Sequence, residues 1–169
     1  TVWTTWSLNV DSLSLAAKEL LKYSSLLAPN DKPVEFAGKI TAKLGAKSLH
    51  GQDPHKVLRE LARLSLIEWN RDSNVYSMHR LVQQVQLDHL SSRTAGNNED
   101  RSSMTSSSSE AASDNQLAAM LVRCVAVVAD GLREAHNQQE KEGWASGMIS
   151  ARRWLPHALW IRDNHKWLI

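Results

Sequence analysis

The spacing of hydrophobic residues changes twice in the middle of the chain. Between residues 54 and 64 they recur at helical intervals, with charged residues in between, as on a helix with one buried face. Short runs of β-forming residues follow at 66–69 and 75–78, and the residues between them, 70–74, favour turns. This pattern predicts a β-hairpin with a longer loop. A second helical spacing then starts and runs from about 80 to 90.

The junction between the second strand and this helix is the most informative position of the chain. Met78, His79 and Arg80 lie there, at a corner where a side chain can project from a rigid scaffold. The apolar side of the helix is expected to contain Leu81, Val82 and Val85. The amide side chains are expected on its wetter side: Gln83, Gln84 and Gln86.

Two helices are predicted before this region. Asp11 or Ser12 can cap the first, which runs to about residue 27. Pro33, at a first helical position, starts the second, which continues through Ile40. Helices, a hairpin and a further helix are typical of a winged-helix domain. The sequence therefore predicts a mainly α fold, with a winged-helix domain over residues 1–90.

The third helix has a basic outer face. Asp53 is its predicted cap and Pro54 its first residue. Its apolar face consists of Val57, Leu58, Leu61 and Leu64, and its polar face of Lys56, Arg59, Glu60 and Arg63. Such cations could enter a DNA groove, but Glu60 lies among them and would repel phosphates. The sequence favours a solvated face without a nucleic-acid partner, and DNA binding stays an alternative hypothesis.

The composition changes after residue 90. Residues 91–114 are dominated by serine and other polar residues, which predicts a disordered linker because such a segment buries too little apolar surface. Helical stripes resume over 115–169 and predict an antiparallel helical hairpin that opens a tetratricopeptide-like array. The first stripe is Leu117, Met120, Leu121, Cys124, Val125, Val128 and Leu132, with Gly131 as a weak spot.

The second stripe of this tail follows a predicted polar break at 137–143. It consists of Trp144, Met148, Ala151, Leu155 and Leu159. Pro156 lies within it and is expected to kink or restart the helix. The tryptophans of the tail are expected to fill helix–helix contacts.

The overall composition excludes several classes of protein. The chain has 169 residues and a formal net charge of +2, so nothing demands nucleic acid or an anionic membrane. No apolar run approaches the ~20 residues of a membrane span. Cys124 is the only cysteine. It excludes an internal disulfide, suits a reducing compartment and is expected to be a buried structural thiol.

Motifs for catalysis or metal binding are absent from the sequence. The segment 38–41 lacks the Lys-Ser/Thr pair of a phosphate-binding loop, and the segment 45–48, which contains Lys47-Ser48, lacks the glycines at the required spacing before it. The serine in 143–147 is misplaced for a nucleophile elbow, and the histidines and cysteine have no zinc-site spacing. The sequence therefore predicts no catalytic residue, no metal ligand and no enzymatic activity for this chain.

Several short motifs together resemble one known family. The stretch 78–83, Met-His-Arg-Leu-Val-Gln, resembles the histidine motif that closes the winged-helix domain of signal-transduction ATPases of the STAND/NB-ARC type, especially members with downstream tetratricopeptide repeats. The segments 5–8, 26–29 and 64–67 occur in the order found in such domains. The stretch 154–159, Trp-Leu-Pro-His-Ala-Leu, resembles the helix that opens their repeat region.

The resemblance implies a regulatory role. In that family the histidine contacts the phosphates of bound ADP and helps to hold the resting state, which would be the role of His79. Arg80 stands where the better-known plant motif has Asp, and it is a further candidate for nucleotide contact. The implied parent is a cytoplasmic ATP/ADP-switched NTPase. Its upstream nucleotide-binding domain and downstream repeats would be the partners of this chain, which would bind no cofactor alone. A protein-interaction adaptor is the remaining alternative.

Overall fold

A computed structural model describes residues 10–43, 53–95 and 109–164 of the chain, with side chains over 10–42, 53–91 and 116–164. The elements, in chain order, are α1 (Leu15–Ser25), β1 (Lys32–Pro33), α2 (Val34–Lys43), α3 (Pro54–Arg63), β2 (Ile67–Asn70), β3 (Val75–Met78), α4 (Arg80–Ala95), α5 (Ser109–Glu142) and α6 (Trp144–Asn164). The predicted mainly α fold with a small β-hairpin is confirmed.

The hairpin forms as predicted and gains a third strand. In β2 and β3, Trp69 lies opposite Tyr76 in an antiparallel ladder. The turn is held by Asn70, whose Oδ1 accepts hydrogen bonds from the backbone N–H groups of Asp72 and Ser73, both at 3.1 Å. β1 pairs with the other side of β3. Pro33 lies in this edge strand opposite Val75, where its missing N–H is tolerated. The predicted helix start at Pro33 is therefore wrong by one residue.

The first helix begins later than predicted. Its cap is Ser14 rather than Asp11 or Ser12, and the Ser14 hydroxyl accepts a hydrogen bond from the N–H of Ala17 at 3.3 Å. The carboxylate of Glu60 on α3 accepts from both the N–H and the hydroxyl of Ser14, at 2.6 and 2.7 Å. This contact from a distant element selects the cap, and local sequence does not reveal it.

The predicted start and inner face of α3 are confirmed. Asp53 caps the helix through the N–H of His55, and Pro54 is its first residue. Val57, Leu58 and Leu61 are buried. They lie in one apolar cluster with residues of α1, α2 and the hairpin. Burial of these side chains explains why the amphipathic pattern was a reliable signal.

The predicted orientation of α4 is wrong. Gln83 and Gln86 are only 4% and 3% exposed, whereas Leu81 is 70% exposed; Gln84 alone of the three amides is exposed as predicted. The Gln83 amide donates hydrogen bonds to the backbone carbonyls of Ser25 and Leu27, both at 2.8 Å. It thereby satisfies carbonyls at the end of α1 that have no helical partner. A buried amide with partners is stable, and apolar spacing cannot reveal it.

The predicted linker of residues 91–114 is too long at both ends. α4 continues to Ala95 and α5 begins at Ser109, while 96–108 lie outside the described residues. Extending an existing helix adds one hydrogen bond per residue without a new nucleation cost. Polar residues such as those at 91–95 can therefore continue a helix that a packed neighbour has already started.

The helices α5 and α6 form the predicted antiparallel hairpin. Gly131 of α5 faces the Trp154 ring of α6, and Gly147 faces Gln139. The predicted break at 137–143 is wrong, because α5 continues to Glu142 and only Gly143, with φ +98°, interrupts the chain. α6 also continues through Pro156 without a restart. The missing N–H of this proline leaves the carbonyl of residue 152 without its helical donor.

One apolar core connects the tail to the preceding elements. Met120, Leu121 and Cys124 of α5 belong to the same buried cluster as α1, α2 and α3. Burial raises the pKa of the Cys124 thiol to about 12, so the expected structural thiol is confirmed. Val125, predicted in the stripe, is 48% exposed, and Val127 is buried instead. The predicted parts 1–90 and 115–169 therefore share a core.

Candidate functional site

His79 lies between β3 and α4 and acts as the cap of α4. Its backbone carbonyl accepts the N–H of Gln83 at 3.0 Å. Its ring Nδ1 accepts the N–H of Leu81 at 3.2 Å. The ring is exposed, as the sequence predicted. Because Nδ1 accepts this hydrogen bond, the neutral imidazole carries its proton on Nε2. His79 therefore presents a donor N–H to solvent.

A groove of about 600 Å³ borders this histidine. Its lining includes Ser77, His79 and Arg80 at the end of β3 and the start of α4, and Ser65 and Glu68 around the start of β2. Arg80 is exposed. The N-terminus of α4 adds positive potential next to His79, whereas Glu68, which lies opposite Ser77 in the ladder, adds a negative charge. An anion is therefore favoured next to His79 and disfavoured next to Glu68.

The floor of the groove is tied to the segment that leads into β1. The N–H of Met78 donates to the carbonyl of Pro29 at 2.8 Å, and the N–H of Asp31 donates to the Ser77 hydroxyl at 3.1 Å. Asp31 has a φ of +52°, which is uncommon for a residue other than glycine. These bonds fix the strand that positions His79.

A buried basic pair lies on the other side of this segment, and no pattern along the chain predicted it. Lys32 is fully buried, and its ammonium nitrogen donates to the carbonyl of Pro29 at 2.7 Å. Burial lowers the pKa of Lys32 to about 7. His157 of α6 is also fully buried. Burial, and next the charge of Lys32, lower the pKa of His157 to about 4.

The His157 ring joins α6 to β1 by a single hydrogen bond. Its Nε2 lies 3.3 Å from the carbonyl of Asp31, and because a carbonyl only accepts, Nε2 must donate. Its Nδ1 is buried and has no partner among the described residues. Arg153, one turn earlier, donates to Glu35 at 3.2 Å and to the turn carbonyl of Asn74 at 3.1 Å. The 154–159 motif thus forms an internal contact.

Comparisons with known proteins give one match. No curated protein and no solved structure matches the chain. Within the described residues, no helix is long and apolar enough to cross a membrane. The profile of a family described as "Domain of unknown function (DUF7779)" matches residues 8–95, more than half of the chain. The matched range contains the hairpin and the complete groove beside His79.

Proposed function

Because the chain belongs to the family described as "Domain of unknown function (DUF7779)", whose description assigns no activity, we propose a function from its site. The chain is a non-catalytic regulatory part of a cytoplasmic, nucleotide-switched ATPase of the STAND/NB-ARC type. Its winged-helix region, residues 1–90, helps to hold the ADP-bound resting state. His79 is the residue that contacts ADP phosphate, and Arg80 is a further candidate in the same groove.

The observation that supports this role is the fixed tautomer of His79. Its Nδ1 accepts the N–H of Leu81, so Nε2–H is the hydrogen-bond donor of this exposed ring. The start of α4 lies at the same point, and helix N-termini stabilise anions. When bound, ADP would supply the phosphate oxygens that accept from this donor. The chain's own contribution is orientation and binding.

The charges of the groove suit one phosphate contact rather than a whole nucleotide. Beside His79, its lining has one cation, Arg80, and one carboxylate, Glu68, so it has too little positive charge to hold a diphosphate by itself. Most of the nucleotide would therefore be bound by an upstream domain. His79 would act as a differential contact, present in one conformation and absent in the other, which is what a ligand-driven switch requires.

The test is ADP release from a protein that carries this chain together with a P-loop domain. His79→Ala should accelerate ADP dissociation about ten- to a hundredfold, since a charge-assisted hydrogen bond contributes ~1.5–3 kcal/mol. Arg80→Ala measures the contribution of the second candidate. His136→Ala is the matched control, because His136 is exposed on α5, away from the groove, and should leave the rate unchanged.

Stability of the present chain separates sensing from a structural role. His79→Ala should leave this chain folded and lower its unfolding free energy by about 0.5–2 kcal/mol, because the ring accepts a cap hydrogen bond from the N–H of Leu81. Unfolding of the variant, or an ADP dissociation rate equal to that of the wild type, would contradict the sensing role.

A second candidate function, protein interaction through the tail, is favoured by the exposed apolar stripe of α6. Trp144 is 68% exposed, Leu155 48% and Leu159 41%. The occupant we propose is the next helix pair of a repeat region in the same parent protein, as the family resemblance implies. In such a longer protein, Trp144 fluorescence should become less accessible to an aqueous quencher than in this chain. Equal quenching would contradict this function.

A further inference from the structure

The outer face of α3 carries three exposed cations. Lys56, Arg59 and Arg63 all point to solvent. Lys56 and Arg63 lie on the same face of the helix, two turns apart, which is about 10 Å along the axis at 1.5 Å per residue. This is the basic face that the sequence described, and its role depends on which other charges face it.

The hairpin extends this basic face with a stacked group. The Arg71 guanidinium lies 4.8 Å from the centre of the Trp69 ring. The His55 imidazole stacks on the same indole, with ring centres 5.5 Å apart and planes inclined by 29°. Together with Arg59 and Asn74 these residues line a shallow pocket of about 320 Å³. The stack holds Arg71 beside the cations of α3.

Two of the acidic residues near this face are directed elsewhere. The Glu60 carboxylate, which the sequence placed among the cations, accepts hydrogen bonds from the N–H and hydroxyl of Ser14. Glu68 lies next to Trp69 in β2 and therefore on the opposite face of the strand, where it borders the His79 groove. Asp53, the cap of α3, and Asp72, in the hairpin turn, are exposed carboxylates beside the face. The exposed cations Lys56, Arg59, Arg63 and Arg71 outnumber these two carboxylates, so the face keeps a net positive charge.

We propose that this face, formed by Lys56, Arg59, Arg63 and Arg71, binds the phosphate backbone of duplex nucleic acid. An exposed helix beside a projecting hairpin can follow the groove and the adjacent backbone of a duplex. Each cation that contacts a phosphate releases condensed counterions, which drives binding without base readout. This activity is separate from the contact of His79 with ADP, because Glu68 and the hairpin strands lie between the two surfaces.

Two observations favour a duplex over other anionic partners. Among the described residues, the large hydrophobic side chains that are exposed lie on α1, α4, α5 and α6, none on α3 or the hairpin. An acidic protein partner would need apolar anchors at the centre of its interface. The Trp69 ring is already covered by Arg71 and His55, so it offers little surface for stacking the bases of a single strand.

The test uses the full chain and a fluorescently labelled duplex of about 20 base pairs in anisotropy titrations between about 50 and 200 mM salt. We expect log K to fall with log salt at a slope of roughly −2.7 to −3.6, for three or four phosphates neutralised at about −0.9 each. Arg59→Ala and Arg71→Ala should each weaken binding and reduce the slope by about 1.

The matched control is Arg152→Ala, which removes an exposed arginine of α6 and should leave affinity and slope unchanged. Circular dichroism of each variant establishes that it is folded. No binding at the lowest salt would overturn the proposal, and so would equal losses from Arg59→Ala and Arg152→Ala. Poly-glutamate that competes as well as the duplex would assign the face to an acidic protein instead and would equally overturn it.

Discussion

The helices α5 and α6 have similar apolar stripes, but the stripe of α5 is packed against the protein and that of α6 faces solvent. The stripe of α5 is largely buried, with Leu121 4% and Cys124 0% exposed. The stripe predicted for α6 faces solvent, with Trp144 68% and Leu155 48% exposed. The residues of α6 that are buried, such as Trp154, lie on a different side of the helix. Helical spacing therefore identifies an apolar side, whereas long-range packing decides whether that side is covered.

The two helices are also attached differently. α5 joins the rest of the protein through apolar burial in the shared core. α6 contacts α5 by placing Trp154 on Gly131, and it contacts the hairpin and β1 through Arg153 and His157. Apolar burial is not strongly pH dependent, whereas a buried imidazole is. The attachment of α6 should therefore respond to pH and to single side-chain changes more than that of α5.

The largest expected effect tests which side of α6 is packed. Trp154→Ala removes a ring that is only 6% exposed and should lower the unfolding free energy by about 3–5 kcal/mol, as for buried aromatic truncations. Trp144→Ala, on the exposed side, should change it by at most about 0.5 kcal/mol. Urea unfolding measures both. Equal losses would mean that the two sides of α6 are packed alike.

The next effect concerns pH. His157 has its pKa lowered from 6.5 to about 4, so the unfolded chain binds the extra proton first. The contribution of His157 to the unfolding free energy is therefore full above pH 6.5. It falls as the pH drops toward 4, by about 2–4 kcal/mol at ~1.4 kcal/mol per pKa unit. His157→Phe should remove this loss, measured as the difference in unfolding midpoint from wild type at each pH.

Lys32 gives a second window with the same sign. Its pKa is lowered from 10.5 to about 7, so its contribution falls as pH drops from 10.5 to 7 and then stays constant. His136→Phe, at an exposed position of α5, should leave the profile between pH 4 and 6.5 unchanged. A His157→Phe profile parallel to that of the wild type would contradict the buried neutral state of His157.

A smaller effect tests the contact between the two helices. A Cβ at Gly131 would lie 2.2 Å from the Trp154 ring, so Gly131→Ala should cost about 1–3 kcal/mol through overpacking. In a Trp154→Ala background the clash is gone, and the same change should stabilise by up to about 1 kcal/mol through helix propensity. A double-mutant cycle by urea unfolding measures this coupling. Additive effects would mean that the two residues do not touch.

The smallest effect is expected on the exposed stripe. Leu155→Ala should change the unfolding free energy by at most about 0.5 kcal/mol. Leu121→Ala on α5, truncating a leucine of equal size that is buried, should cost about 2–5 kcal/mol. If Leu155→Ala were as costly as Leu121→Ala, the comparison between the two helices would have to be abandoned.

Sequence reasoning succeeded where the deciding contacts are local. The Asp53-Pro54 start of α3 and the hairpin turn at Asn70 depend on bonds to residues two or three positions away. The exposed corner at His79 likewise follows from the strand-to-helix junction. These features can be predicted because helix caps and turns depend on residues that are close in the sequence.

The remaining features depend on residues far apart in the chain. Gln83 is buried because it caps the end of α1, and Ser14 is selected by Glu60. The pair Lys32 and His157 is brought together across the whole fold. No periodicity encodes such contacts, since each polar group is stable in the core only when its partner is also present. The Glu60 contact likewise turns this carboxylate toward Ser14, which the helical pattern of α3 does not show.

The length of α5 has a mechanical consequence. Its 34 residues extend about 51 Å at 1.5 Å per residue, more than the diameter of a small domain. Its contacts with the preceding elements extend from Cys124 to Glu134, which pairs with Lys39, and the part between Glu134 and Glu142 rises roughly 12 Å further. A rotation of about ten degrees at this base would displace the Gly143 end by roughly 2 Å. The helical hairpin can thus act as a lever. A small rotation of its base moves the Gly143 end, and a pair of distance labels can measure this displacement.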